Sequence, residues 1–201
     1  ESGDLDAYID DRDLSGFVAY AEDYESDALS SNLSADDLDS MATNFQDRNI
    51  GTWEEKKIGD RTIPSGFTQD YVESIGGVSQ LDESTRTGNI DYDKWNKELD
   101  SVDEGYGFRE VEGGYEVYDR QDEDVEPTFY EFGYEAEEAA KEINNDSLEE
   151  MVAMDASHPG GESYGERYFD FDGFAVDLVM GGEITYVVNE ASGLKTWLWG
   201  R

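Results

Sequence analysis

Apolar positions recur along this chain in short stretches, most of them at the three- and four-residue steps of a helix. Phe17, Ala21 and Tyr24 share one helical face within the acid-rich segment 10–24. Ser34-Ala35-Asp36-Asp37 has the spacing of a capping box, with Asp in place of Glu, and opens a helix carrying Leu38, Met41 and Phe45 on one stripe. Gly51 closes that region, and a polar loop is expected from Trp53-Glu54-Glu55 to Pro64. Phe67, Tyr71 and Ile75 predict a second helix, stopped by Gly76-Gly77. Tyr92, Trp95 and Leu99 predict a third, beginning near Asp91.

A strand pattern follows. Tyr106 to Val111, a turn at Glu112-Gly113-Gly114, and Tyr115 to Tyr118 read as a hairpin. Residues 119–127 (DRQDEDVEP) carry almost nothing apolar and predict a linker. Ala136, Ala139, Ala140 and Ile143 mark another helix, and Ser147 with Glu150 has capping-box spacing ahead of Met151 and Val152. A turn is expected at His158-Pro159-Gly160-Gly161. Phe171, Phe174 and Leu178 predict a helix from Asp170 to Gly181-Gly182. Ile184 to Val188 and Leu194 to Trp199 form a last hairpin about Ser192-Gly193, with Trp197 and Trp199 on an edge strand, expected to pack in its core, the alternative being a dimer contact. The expected fold is α+β and elongated. It has two small modules, 1–118 and 128–201, joined by the acidic linker, each with acidic amphipathic helices and a short antiparallel β-hairpin.

Charge changes the picture. The chain carries 51 Asp and Glu against 14 Lys and Arg, a net charge of −37. Phosphate and anionic lipid would both be repelled, so neither nucleic acid nor membrane is an expected partner. Such acidity usually accompanies disorder, yet aromatics make up 13% of the residues, enough for a packed core beneath an acidic surface. Self-repulsion at this charge destabilises the compact state, so the acids call for a functional reason. There is no cysteine, hence no disulfide and no thiolate chemistry. No apolar run reaches membrane-spanning length and no signal peptide is recognisable, so a cytoplasmic location is expected.

An eleven-residue segment occurs twice: NIDYDKWNKEL at 89–99 and YFDFDGFAVDL at 168–178. Asp91 and Asp170 sit at N-cap positions. Asp93 and Asp172 lie in the first turn, where the helix dipole favours them. Tyr92, Trp95 and Leu99, like Phe171, Phe174 and Leu178, face a core, while Glu98 and Asp177 are expected in solvent. Every position thus has a folding reason as well as any functional one.

At this repeat the chain resembles the ArdA-type antirestriction proteins of plasmids, transposons and phages, whose helix reads roughly YxDYEAFARDL ahead of an aromatic strand. FQDRNIGTWEE at 45–55 and FTQDYVESIG at 67–76 are similar to further segments of that family, and Asp11 to Phe17 is a weaker match. The family's usual N-terminal signature is missing, and 58–64 looks like an insertion. The resemblance implies a non-enzymatic DNA mimic that needs no cofactor. It implies elongated chains, often dimeric through the C-terminal region, so a homodimer is expected. Their carboxylates stand in for phosphates within the DNA-binding groove of type I restriction–modification enzymes. On the scale of one charge per ~1.7 Å of duplex, this net charge corresponds to roughly 60 Å of DNA.

The acids without an evident folding duty are the expected partner-binding residues: Asp36, Asp37, Asp39, Glu54, Glu55, Asp100, Asp103, Glu104, Asp122, Glu123, Asp124, Glu135, Glu137 and Glu138. Other chemistries are weaker. Gly161-Glu162-Ser163-Tyr164-Gly165 matches a nucleophile elbow, but the sole histidine, His158, precedes the serine and no buried strand leads into it. The acid run 119–126 lacks the glycine and spacing of a calcium loop. A halophilic protein whose acids serve solvation, and a mimic aimed at another nuclease or DNA-binding protein, are the alternatives.

Overall fold

A computed structural model describes residues 16–20, 35–188 and 193–200. The helical positions Ala21 and Tyr24, the cap Ser34 and the turn residue Ser192 lie outside them. Helices and small antiparallel sheets make an α+β fold, as the periodicities indicate. The chain forms two compact units, one built from 1–69 with 172–201, the other from 70–171.

In the first unit, residues 16–20 are helical and α1 spans Ala35–Arg48. Strand β1 (Asn49–Gly51) pairs with β8 (Lys195–Trp199), which pairs with β7 (Ile184–Val188). Phe17, Tyr20, Met41 and Phe45 pack on Val187 and Leu198. The tryptophan strand β8 is therefore central rather than an edge, because the short β1 covers the side the sequence leaves open. Trp197 and Leu198 are fully buried. The expected polar loop 53–64 is instead a hairpin, β2 (Glu55–Ile58) with β3 (Arg61–Pro64). Its two-residue turn is Gly59-Asp60, with Gly59 at φ 55°. The charged strands hid the pattern, whose fully buried members, Ile63 and Pro64, stand together at the end of β3.

Helix α2 (Phe67–Ile75) ends as expected: Gly76 and Gly77 both take positive φ, and the Gly77 N–H closes onto the Val72 carbonyl. Its buried positions are Phe67, Thr68 and Val72, while Ile75 is exposed. The second unit continues with α3 (Glu83–Gly88), α4 (Tyr92–Val102), and the sheet β4 (Tyr106–Val111), β5 (Gly114–Asp119), β6 (Thr128–Tyr130). The expected linker 119–127 joins β5 to β6, neighbouring strands of one sheet. Low apolar content here marks a loop, and the compact units divide elsewhere, near 69–70 and 171–172.

Helix α5 (Gly133–Ala153) is the spine of this unit. Ala136, Ala140, Asn144, Leu148 and Val152 recur every four residues and are all buried. Ala136 and Ala140 meet Val117 of the sheet; Leu148 and Val152 meet Trp95, Leu99 and Tyr168. No break occurs at Ser147, whose hydroxyl donates to the Ile143 carbonyl within the helix instead of capping a new one. A turn at 158–161 leads to α6 (Tyr164–Tyr168) and α7 (Phe171–Gly181).

The two repeat copies meet where they begin. Ile90 and Phe169 form an antiparallel bridge. The Asp91 N–H donates to the Tyr168 carbonyl at 2.7 Å, and the Asp170 N–H donates to the Asn89 carbonyl at 2.9 Å. The residues entering each helix thus exchange equivalent bonds.

Candidate partner-binding surface

The buried positions of α5 fix what its opposite side presents. Glu135, Glu138, Glu142, Asp146, Glu149 and Glu150 follow one another at steps of one, three or four residues, away from the Ala136–Val152 stripe. All but the half-buried Glu135 are exposed. From Glu135 to Glu150 the helix rises about 22 Å, so this ridge carries one carboxylate per ~4 Å, close to the ~3.4 Å per charge of one DNA strand. The helix's one cation, Lys141, lies off the ridge and is held by Glu137 at 2.6 Å.

Several cations elsewhere are likewise held by neighbouring groups. Arg120, only 15% exposed, donates to Asp100 at 2.6 Å and to the Glu104 carbonyl. Lys94 donates to the Arg167 carbonyl and lies 5.5 Å from the Tyr168 ring. Lys56 pairs with Asp172, and Lys195 with Glu55 at 2.9 Å.

The expected binding acids divide accordingly. Asp36, Asp39, Glu54, Glu123 and Glu138 are exposed. The Asp37 side chain lies outside the described residues. Glu55, Asp100 and Glu137 each hold a cation, which gives them a folding duty the sequence did not show. Asp103 is the left-handed C-cap of α4, at φ 56°. Glu104 is exposed, and its carbonyl takes Arg120. Asp122 accepts from the Asp124 N–H at 2.9 Å and shapes the β5–β6 loop. Sequence patterning did not single out Glu142, Asp146, Glu149 and Glu150; the apparent cap at Ser147 separated Glu149 and Glu150 from the helix that aligns them with the rest.

In the repeat, Asp91 caps α4 by accepting from the Lys94 N–H at 2.9 Å. Trp95 and Leu99 are buried, and the Trp95 indole donates to the Asn144 carbonyl. Tyr92 packs on the same core and its hydroxyl donates to Glu149; burial first, then that carboxylate, pushes its phenol pKa up. Asp93 is exposed. In the second copy Phe174 and Leu178 are buried, Phe171 is half-buried and Asp177 exposed.

Glu98 departs from its expected place in solvent. It accepts from Arg167 through two nitrogens, at 2.7 and 3.3 Å, and from the Tyr168 hydroxyl at 2.8 Å, with His158 Nε2 3.8 Å away. The hydrogen bonds from Arg167, then from Tyr168, hold its carboxyl below the usual range. Burial raises the Tyr168 phenol to about 12, with Glu98 adding to it. Helix α6 supplies Arg167 and Tyr168 and the turn before it supplies His158, a grouping that spacing along the chain does not reveal.

Ser163 is occupied as the N-cap of α6, accepting from the Glu166 N–H at 3.0 Å, so the elbow-like pattern serves a cap. Among the described residues, no group of three or more His, Asp or Glu is disposed to hold a metal ion, and no helix is long and apolar enough to cross a membrane. Neither family models, nor curated proteins, nor solved structures match this chain.

Proposed function

We propose that this protein is a non-enzymatic DNA mimic that inhibits a type I restriction–modification enzyme by occupying the DNA groove of its DNA-binding subunits. The observation carrying the reading is the α5 ridge, whose six carboxylates are spaced like the charges of one DNA strand. A regular helix fixes their spacing without any ligand, so little ordering cost remains for binding. The resemblance of the repeated segment to ArdA-type proteins supports the choice of target. Acids serving solvation alone need no such alignment.

The test is displacement. A purified type I enzyme is held with labelled duplex DNA while the protein is titrated in at several salt concentrations. Release of DNA near stoichiometric protein, weakening as salt rises, is the expected result. Retention of DNA at every salt concentration removes this target.

A further inference from the structure

Between Arg120 and Lys141 the chain has eight carboxylates and no cation, yet it leaves aromatic rings in solvent. Phe129 is 59% exposed, Phe132 48% and Tyr134 62%. Folding uses the neighbouring rings differently: Tyr115 and Tyr130 pack against Val117, Ala136 and Ala140. Phe132 and Tyr134 instead stack on each other at the start of α5, centroids 5.8 Å apart and planes 21° from parallel. The Tyr134 hydroxyl donates to Glu135 at 3.2 Å, and both Glu135 and Glu138 lie near enough to raise its phenol pKa. An exposed aromatic pair beside carboxylates, at the head of the acidic ridge, is a surface with two demands. Its occupant must present something flat and apolar to the rings, and must be positive.

A nucleobase satisfies the first demand but brings a phosphate that the carboxylates repel. A lysine ammonium satisfies the second but is compact and strongly hydrated. A guanidinium meets both, being planar, weakly hydrated and attracted to the faces of aromatic rings. We propose that the stacked Phe132–Tyr134 pair, beside Glu135 and Glu138, is a docking platform for arginine side chains on a basic protein partner. This rests on the reading of the acidic surface as one that faces a DNA-binding protein, and it adds a contact that phosphate imitation alone does not supply. Part of the affinity then comes from ring contact, which salt screens far less than the carboxylate ridge.

The experiment uses two fluorescently labelled peptides of equal length and charge, deca-arginine and deca-lysine, titrated with the full chain. Wild type binds the arginine peptide about 3- to 10-fold more tightly, the range expected of one or two exposed cation–π contacts. The double variant Phe132→Leu/Tyr134→Leu keeps apolar bulk and every charge. It retains its affinity for the lysine peptide and loses most of the arginine preference. Tyr134→Leu alone, at the more exposed of the two sites, gives the same readout in smaller measure if the double variant fails to fold. An unchanged arginine preference in the folded variant, or none in wild type, overturns the proposal. Failure of DNA displacement from a restriction enzyme leaves this comparison intact, so the two readings fall separately.

Discussion

Single residues show where sequence patterning stops short. Asn144 sits on the apolar stripe of α5 and is 6% exposed. Its amide meets both backbone groups of Tyr106, accepting from the N–H at 2.8 Å and donating to the carbonyl at 3.1 Å, so it extends β4 as a strand neighbour would. Asn144→Ala strands those two groups without a partner, and we expect a loss of about 2–3 kcal/mol, read as a lower denaturation midpoint at unchanged slope. Asp82 is legible as a cap once its helix is seen. It accepts from the Ser84 hydroxyl and from the Thr85 hydroxyl and N–H, and these bonds, Ser84's first, lower its pKa from 3.8 to about 2. A depressed carboxylate stabilises the fold above its unfolded pKa, and that contribution is lost as pH falls from about 4 to about 2. Carboxyl chemical shifts followed against pH should give Asp82 a midpoint near 2; an ordinary midpoint would refute the cap. Glu98 was illegible because its partners come from α6 and the turn before it, far along the chain.

Elements were read well where periodicity and caps agree, as in α2, α4, α7 and both long hairpins. They were misread where a local signal competed with packing. Ser147 and Glu150 imitate a helix start, yet Leu148 and Val152 continue the buried stripe of Ala136 and Ala140, and burial prevails over an optional cap. Strands β1 and β6, of three residues each, carry too little pattern to be seen before their partners are known. Reading α5 as one helix is what reveals the ridge, and the ridge makes a graded prediction. Neutralising Glu138, Glu142, Asp146 and Glu150 to their amides, one after another, should weaken inhibition in steps of about 1.5- to 5-fold per charge at low salt. Stability should hold or rise as like charges at four-residue spacing are removed. Loss of all inhibition from one of these changes would contradict a distributed surface.

For the whole molecule, the net charge sets two salt dependences of opposite sign. With fifty-one acids against fourteen bases, the excess carboxylates repel one another across the surface. The Debye length shortens from ~30 Å at 0.01 M salt to ~3 Å at 1 M. Screening should therefore stabilise the fold, and a gain of roughly 1 kcal/mol would raise the melting temperature by about 2–4 °C for a chain of this size. The same screening weakens attraction to a basic groove, so inhibition should fall over the range in which melting temperature climbs. A protein acidic for the sake of solvation behaves otherwise. It needs salt near the molar range to fold at all, and any binding it shows improves together with its fold. Calorimetry and DNA displacement on one salt series separate the two cases. Opposed trends from a chain already folded at ~0.15 M are what a surface built for a cationic partner requires, whereas parallel trends would reassign its carboxylates to hydration.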